Sequence, residues 1–138
     1  MSTEANKAML QSYVQQAWHD GNLDVISEFI APDYVRHDLG LPMQVRGPEG
    51  VTQLIGLYRN AFPDLYLTAN VILAEEDMVA VHWQVRGIHQ GDLLGIPPTG
   101  NSITITATEI FRFADNKIVE QWVTVDNLGM LRQLGLVQ

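Results

Sequence analysis

Apolar residues in the first third of the chain recur in steps of three and four. Between Glu4 and Asp20 they fall at Ala5, Ala8, Met9, Tyr13, Ala17 and Trp18, which predicts one helix with a single apolar stripe, stopped by Gly21. A second, shorter helix is expected from Leu23 to Ile30, ended by Pro32. The stretch "GPEGVTQLIGLYRNAF" (47 to 62) puts Pro48 near a first helical turn and spaces Val51, Leu54, Ile55, Tyr58 and Phe62 along one face, a third helix.

From Leu65 the period drops to two. Leu65, Leu67, Ala69, Val71 and Leu73 are expected on one face of a strand, and Val79, Val81, Trp83 and Val85 on one face of the next, with Glu75-Glu76-Asp77 as the charged turn between them. A third strand reads from Ile103 to Phe113, "ADNK" (114 to 117) makes a tight turn, and Ile118 to Val125 forms a fourth strand. That strand runs into a short last helix with Asp126 at its N-cap. The predicted order is three helices, four long antiparallel strands in hairpins, and a terminal helix. A twisted meander of this length exposes a large apolar face that only the early helices can cover. The fold class is therefore α+β, a cone of curved antiparallel sheet with helices packed into it.

Three features interrupt the pattern. "HQGDLLGIPPTGN" (89 to 101) inserts a stiff apolar loop, with Gly95, Pro97, Pro98 and Gly100, between two strands. Odd positions of the third strand read Ile103, Ile105, Ala107, Glu109, Phe111, Phe113, a single carboxylate among five apolar neighbours. An isolated charge on a core face is costly, so Glu109 lines a cavity, meets a base, is paired across the sheet, or belongs to a dimer interface. On the fourth strand Ile118, Glu120, Trp122, Thr124 and Asp126 share parity unless a bulge intervenes, which would put Trp122 and Asp126 on one side. Asp126 is then either a helix cap or a carboxylate at the mouth of an apolar pocket, where burial raises a general base toward neutral pH. His37 and His89 sit where elements end, as site residues often do, and His82 alternates with Gln84 and Arg86 on a polar face.

Composition narrows the classes of function. At 138 residues, without a linker or a low-complexity tract, the chain reads as one domain, 1–138, long enough for a core and one pocket. A net charge of −8 without a Lys/Arg cluster argues against nucleic acid as a partner. There is no cysteine, hence no disulfide, thiolate catalysis or cysteine-type zinc site. His82 and His89 are seven apart and opposite in parity, so no metal site is expected. The N-terminal stretch lacks a basic segment followed by an apolar one, and no later run approaches the ~18 apolar residues of a membrane span. A soluble, cytoplasmic protein is the expectation.

Taken together, "AFPDLYL" (61 to 67), "AEEDMVAVHWQVRGIHQGDLLGIPPTGNSI" (74 to 103) and "FRFADNKIVEQWVTVDNLGMLRQLG" (111 to 135) resemble the SnoaL-like polyketide cyclases, or ester cyclases, of the nuclear transport factor 2-like (cystatin-like) superfamily. The resemblance implies an α+β cone with a deep apolar pocket. It implies intramolecular aldol ring closure of a small, hydrophobic carbonyl compound without metal or organic cofactor. It also implies a homodimer, and a pocket-rim position for the Pro-Pro loop. Asp126 matches the family's base at the end of the last long strand, with Trp122 lining the pocket and His37 and His89 as candidate proton donors or carbonyl partners. Glu109, Trp18, Tyr34 and Phe62 complete the expected substrate-binding set. Two other readings stand beside this one. The first is a non-catalytic binder of a small hydrophobic molecule or a dimeric module, in which Asp126 only caps; the second is a site centred on Glu109.

Overall fold

The computed structural model describes residues 2–138. Helix α1 (Thr3–Tyr13) starts at Ser2, whose Oγ accepts the Ala5 N–H at 3.0 Å, and continues without a break into a π turn over Val14–His19. The Asp20 N–H reaches back five residues to the Gln15 carbonyl at 2.9 Å, the wider spacing of a π turn. The buried stripe is therefore Asn6, Leu10, Tyr13, Val14 and Ala17, and Ala5 and Ala8 face outward, contrary to the spacing argument.

The expected second helix is shorter than its pattern suggested. A 3₁₀ turn (Leu23–Val25) and one turn of α2 (Ile26–Phe29) give way to strand β1 (Ile30–His37), which contains Pro32. Proline, lacking an N–H, sits where the pairing of β1 with its neighbour shifts register, between Ile30 and Val35. After β2 (Val45–Arg46) comes α3 (Gly47–Ala61), which buries Val51, Leu54 and Ile55 as its spacing demands. The chain then forms β3 (Tyr66–Glu75), β4 (Met78–Ile88), β5 (Ser102–Ala114), β6 (Lys117–Val125) and α4 (Asn127–Gln133).

Among the described residues the sheet has six strands, in the order β2-β1-β6-β5-β4-β3. The four expected strands are antiparallel neighbours, but β1 adds to β6 in parallel and closes that side of the cone. Helices α1 and α3 fill the concave face, giving the α+β cone. Two bulges decide which side chains enter it. In β3, Asn70 is an extra residue between the pairs Ala69–Trp83 and Val71–His82. Past it Ile72 and Ala74 turn inward, and Val71 and Leu73 are 49% and 65% exposed on the outer face. In β6, Val119 is extra between the pairs Phe113–Ile118 and Arg112–Glu120, so Gln121, Val123 and Val125 point inward and Trp122 outward.

Candidate active site

The inner faces of β3 to β6 and the helices above them enclose a cavity with about 740 Å³ of space between atoms, its open mouth included. Its walls are mostly apolar: Leu67, Trp83, Ile105 and Phe111 from the sheet, Trp18 and Phe62 from the helices. The polar residues converge on the side formed by β1, β5 and β6. Parallel pairing sets Arg36 beside Gln121, and antiparallel pairing sets Gln121 beside Phe111, two residues along β5 from Glu109.

Glu109 lines this cavity, and its partial exposure is to the cavity interior rather than to the outer surface. Its Oε1 accepts the Gln121 Nε2–H at 2.8 Å, and Gln121 Oε1 accepts the Tyr34 hydroxyl at 2.6 Å. Arg36 donates from Nε and Nη2 to Asp38 Oδ2 at 3.3 and 3.2 Å, with both side chains 7% exposed. Burial pushes the Glu109 carboxyl above the ordinary carboxylate range, while Arg36 and the Gln121 hydrogen bond pull it back only in part. Burial likewise pushes the hydroxyls of Tyr13, Tyr34 and Tyr58 upward, so these phenols remain protonated donors. A carboxylate of raised basicity, one buried cation and several phenols at one end of an apolar cavity form a constellation for moving a proton on a carbonyl compound.

The residues anticipated from sequence divide into two groups. Glu109, Trp18 and Phe62 line the cavity, and Tyr34 is buried behind Gln121. The others stand elsewhere. Asp126 is exposed and caps α4, its Oδ1 accepting the Gly129 N–H at 2.9 Å; its neighbours Val125 and Asn127 reach the cavity, and it does not. Trp122 is on the outer face, carried there by the Val119 bulge, and stacks on His37 with ring centroids 5.5 Å apart. His37 Nε2 lies 2.7 Å from Glu120, which also accepts from Arg112, so the trio is a surface ion cluster outside the cavity. His89 is completely buried, and its Nδ1 accepts the Thr99 N–H at 3.1 Å. Its backbone also pairs with Gly100 and Asn101. It thus holds the ends of the Pro-Pro loop together. None of the residues 89 to 101 lines the cavity; Leu93 of that loop belongs instead to the buried cluster of Phe62, Ile103, Met130 and Leu134. Sequence reasoning missed Arg36 and Gln121. Their signal was indirect: past Val119 the set Gln121, Val123, Val125 is more apolar than Glu120, Trp122, Thr124, which favours the inward phase observed.

A cone of this topology around an apolar cavity sets the fold class, and the chain belongs to the SnoaL-like polyketide cyclase family, whose pattern matches residues 8–134. The nogalonic acid methyl ester cyclase of Streptomyces nogalater is 31% identical over 120 residues, covering 86% of this chain and 90% of that protein. AclR of Streptomyces galilaeus, a candidate hydroxylase, superimposes with a TM-score of 0.85 at 34% identity, over 99% of this chain and 84% of that one. IdmH of Streptomyces antibioticus, a candidate polyketide cyclase, gives 0.78 at 33% identity over 94% and 98%.

Proposed function

We propose that the protein is a cofactor-free cyclase that closes a ring in an apolar carbonyl ester by an intramolecular aldol step, with Glu109 as its general base. The observation that carries this reading is the placement of Glu109: a carboxylate of raised basicity in the wall of an apolar cavity, next to the buried guanidinium of Arg36. Asp126, the base first expected from sequence, has its carboxylate on the surface and engaged in capping α4.

In this mechanism Glu109 takes the acidic proton from the carbon between two carbonyl groups. The enolate charge spreads over the substrate's own oxygens and is favoured by Arg36 in the low-dielectric cavity. The enolate carbon attacks a second carbonyl of the same molecule; one carbon–carbon bond forms, and the carbonyl π pair moves to oxygen. Protonated Glu109 or an outside water then supplies the proton to the alkoxide, so that no atom or electron is gained or lost overall. Folding the substrate within the cavity converts ring closure into a well-oriented unimolecular step.

The test compares two variants on aklanonic acid methyl ester, the substrate named for the cyclase DauD, a relative 29% identical to this chain. Glu109→Gln should lose about 10²- to 10⁴-fold in turnover, and Asp126→Asn should stay within a few-fold of the parent. Loss in Asp126→Asn with Glu109→Gln unaffected would return the base to Asp126. No turnover by the parent, with retained binding of the ester, would leave a binding protein on the same fold.

A further inference from the structure

Among the described residues three buried side-chain atoms have no hydrogen-bond partner: Asn6 Oδ1, Trp83 Nε1 and His89 Nε2. Of these residues only Trp83 belongs to the wall of the cavity. Asn6 lies beside the β3–β4 and β5–β6 turns, and His89 at the root of the Pro-Pro loop. We propose that the indole N–H of Trp83 is a ligand-binding donor, which gives its hydrogen bond to a carbonyl oxygen of the compound held in the cavity. This rests on the cyclase reading above for the class of ligand, an apolar carbonyl compound, and adds to it where one oxygen of that compound is held.

Trp83 is 3% exposed, and an indole nitrogen is a donor only, so its N–H gives up water on folding and gains no acceptor in return. Buried indole N–H groups ordinarily find a partner, and one left over in a cavity wall marks where a ligand supplies it. The surroundings fix the kind of acceptor. Leu67, Val85, Ile105 and Ala107 line the cavity with it, an apolar wall in which a bare anion is costly and a neutral oxygen with free lone pairs is not. A carbonyl oxygen meets both conditions. Pairing sets Trp83 between Ala69 on β3 and Ala107 on β5. Neither neighbouring strand therefore clamps the ring with a large side chain, and a small tilt carries the N–H edge to a ligand oxygen. Glu109 follows Ala107 by two residues on the same face of β5, so an oxygen held by Trp83 lies beside the polar end of the cavity.

The experiment uses a matched pair of probes, 9-fluorenone and fluorene, which share a ring skeleton and differ in one carbonyl oxygen. The indole signals of the protein are followed by ¹H–¹⁵N NMR, and that of Trp83 is assigned by its loss in Trp83→Phe, which keeps an aromatic wall and removes the donor. Fluorenone should bind and move the Trp83 indole proton downfield; fluorene, with the same two benzene rings and no acceptor, should not. Trp83→Phe should weaken fluorenone binding about 2- to 10-fold, the worth of one neutral hydrogen bond, and leave that of fluorene within about twofold. A Trp83 signal that fluorenone moves no differently from fluorene overturns the proposal. An equal loss of both probes in the variant does the same, as does a parent protein that binds neither. If Trp83→Phe does not fold, as judged by near-UV circular dichroism, Trp18→Phe and Trp122→Phe assign the signal by elimination and its response to fluorenone decides. Failure of the cyclase reading looks different: the probes separate as expected, yet the parent does not turn over the ester. Turnover of the ester with no difference between the probes removes the role of Trp83 and leaves the cyclase reading in place.

Discussion

Arg36→Met tests whether the polar end of the cavity depends on its one buried cation. Arg36 makes two hydrogen bonds to Asp38, both side chains are 7% exposed, and it also offsets part of the burial cost of Glu109. Methionine keeps the length of the side chain and none of the charge. Breaking a buried pair by removing one partner typically costs about 3–5 kcal/mol, because the remaining charge is left uncompensated. Asp38 keeps the Gly40 N–H on its Oδ1 in the variant, so the low end, about 3 kcal/mol at pH 7, is expected. For a domain of this size that is a fall in Tm of about 10 °C. The pH dependence has a definite sign. Glu109 titrates in the folded state above its ordinary value, so its contribution to stability is fully present below the ordinary carboxylate range and is lost as pH rises through its folded value. Arg36 is among the groups that hold that value down, and without it the loss is larger. The deficit of the variant should therefore widen between pH 4.5 and pH 7.5. Urea unfolding followed by tryptophan fluorescence at the two pH values measures both quantities. A deficit under about 1 kcal/mol at pH 7.5, or one equal at both pH values, refutes the electrostatic account of the site.

Two further expectations concern residues outside the cavity. His89→Phe keeps a ring against Phe62, whose centroid lies 5.4 Å away, but removes the acceptor of the Thr99 N–H; it should cost about 1–3 kcal/mol and speed amide exchange at Thr99, while turnover stays within a few-fold. A hundredfold loss of turnover in a folded His89→Phe protein would mean that this histidine handles a proton after all. Light scattering should give a mass near twice 15.4 kDa, with Leu73→Glu on the exposed outer face of β3 lowering it toward the monomer. A parent mass near 15.4 kDa overturns that expectation.

How far the site could be read from sequence depended on knowing the phase of each strand. On β5 the phase holds from Ile103 to Phe113, so the single misfit, Glu109, stood out, although a cavity wall, a pair across the sheet and an interface all fitted it. On β3 and β6 one inserted residue each, Asn70 and Val119, reverses the phase midway. Asn70 leaves apolar residues available on both parities, so the reversal costs little and leaves little trace. The Val119 bulge has the larger consequence: it moves Trp122 outside and Gln121 inside, replacing an expected aromatic wall with the hydrogen-bond donor of Glu109. β1 was hidden for another reason, because Pro32 reads as a helix stop and masks a strand that tolerates proline only where its pairing is irregular. With β1 went Arg36, which needs a strand to face the cavity, and the buried place of Tyr34 behind Gln121. Parity alone also could not tell a helix cap from a pocket base at Asp126, since the two uses share residue type and position. Only the direction of the carboxylate separates them, and that direction follows from where α4 begins.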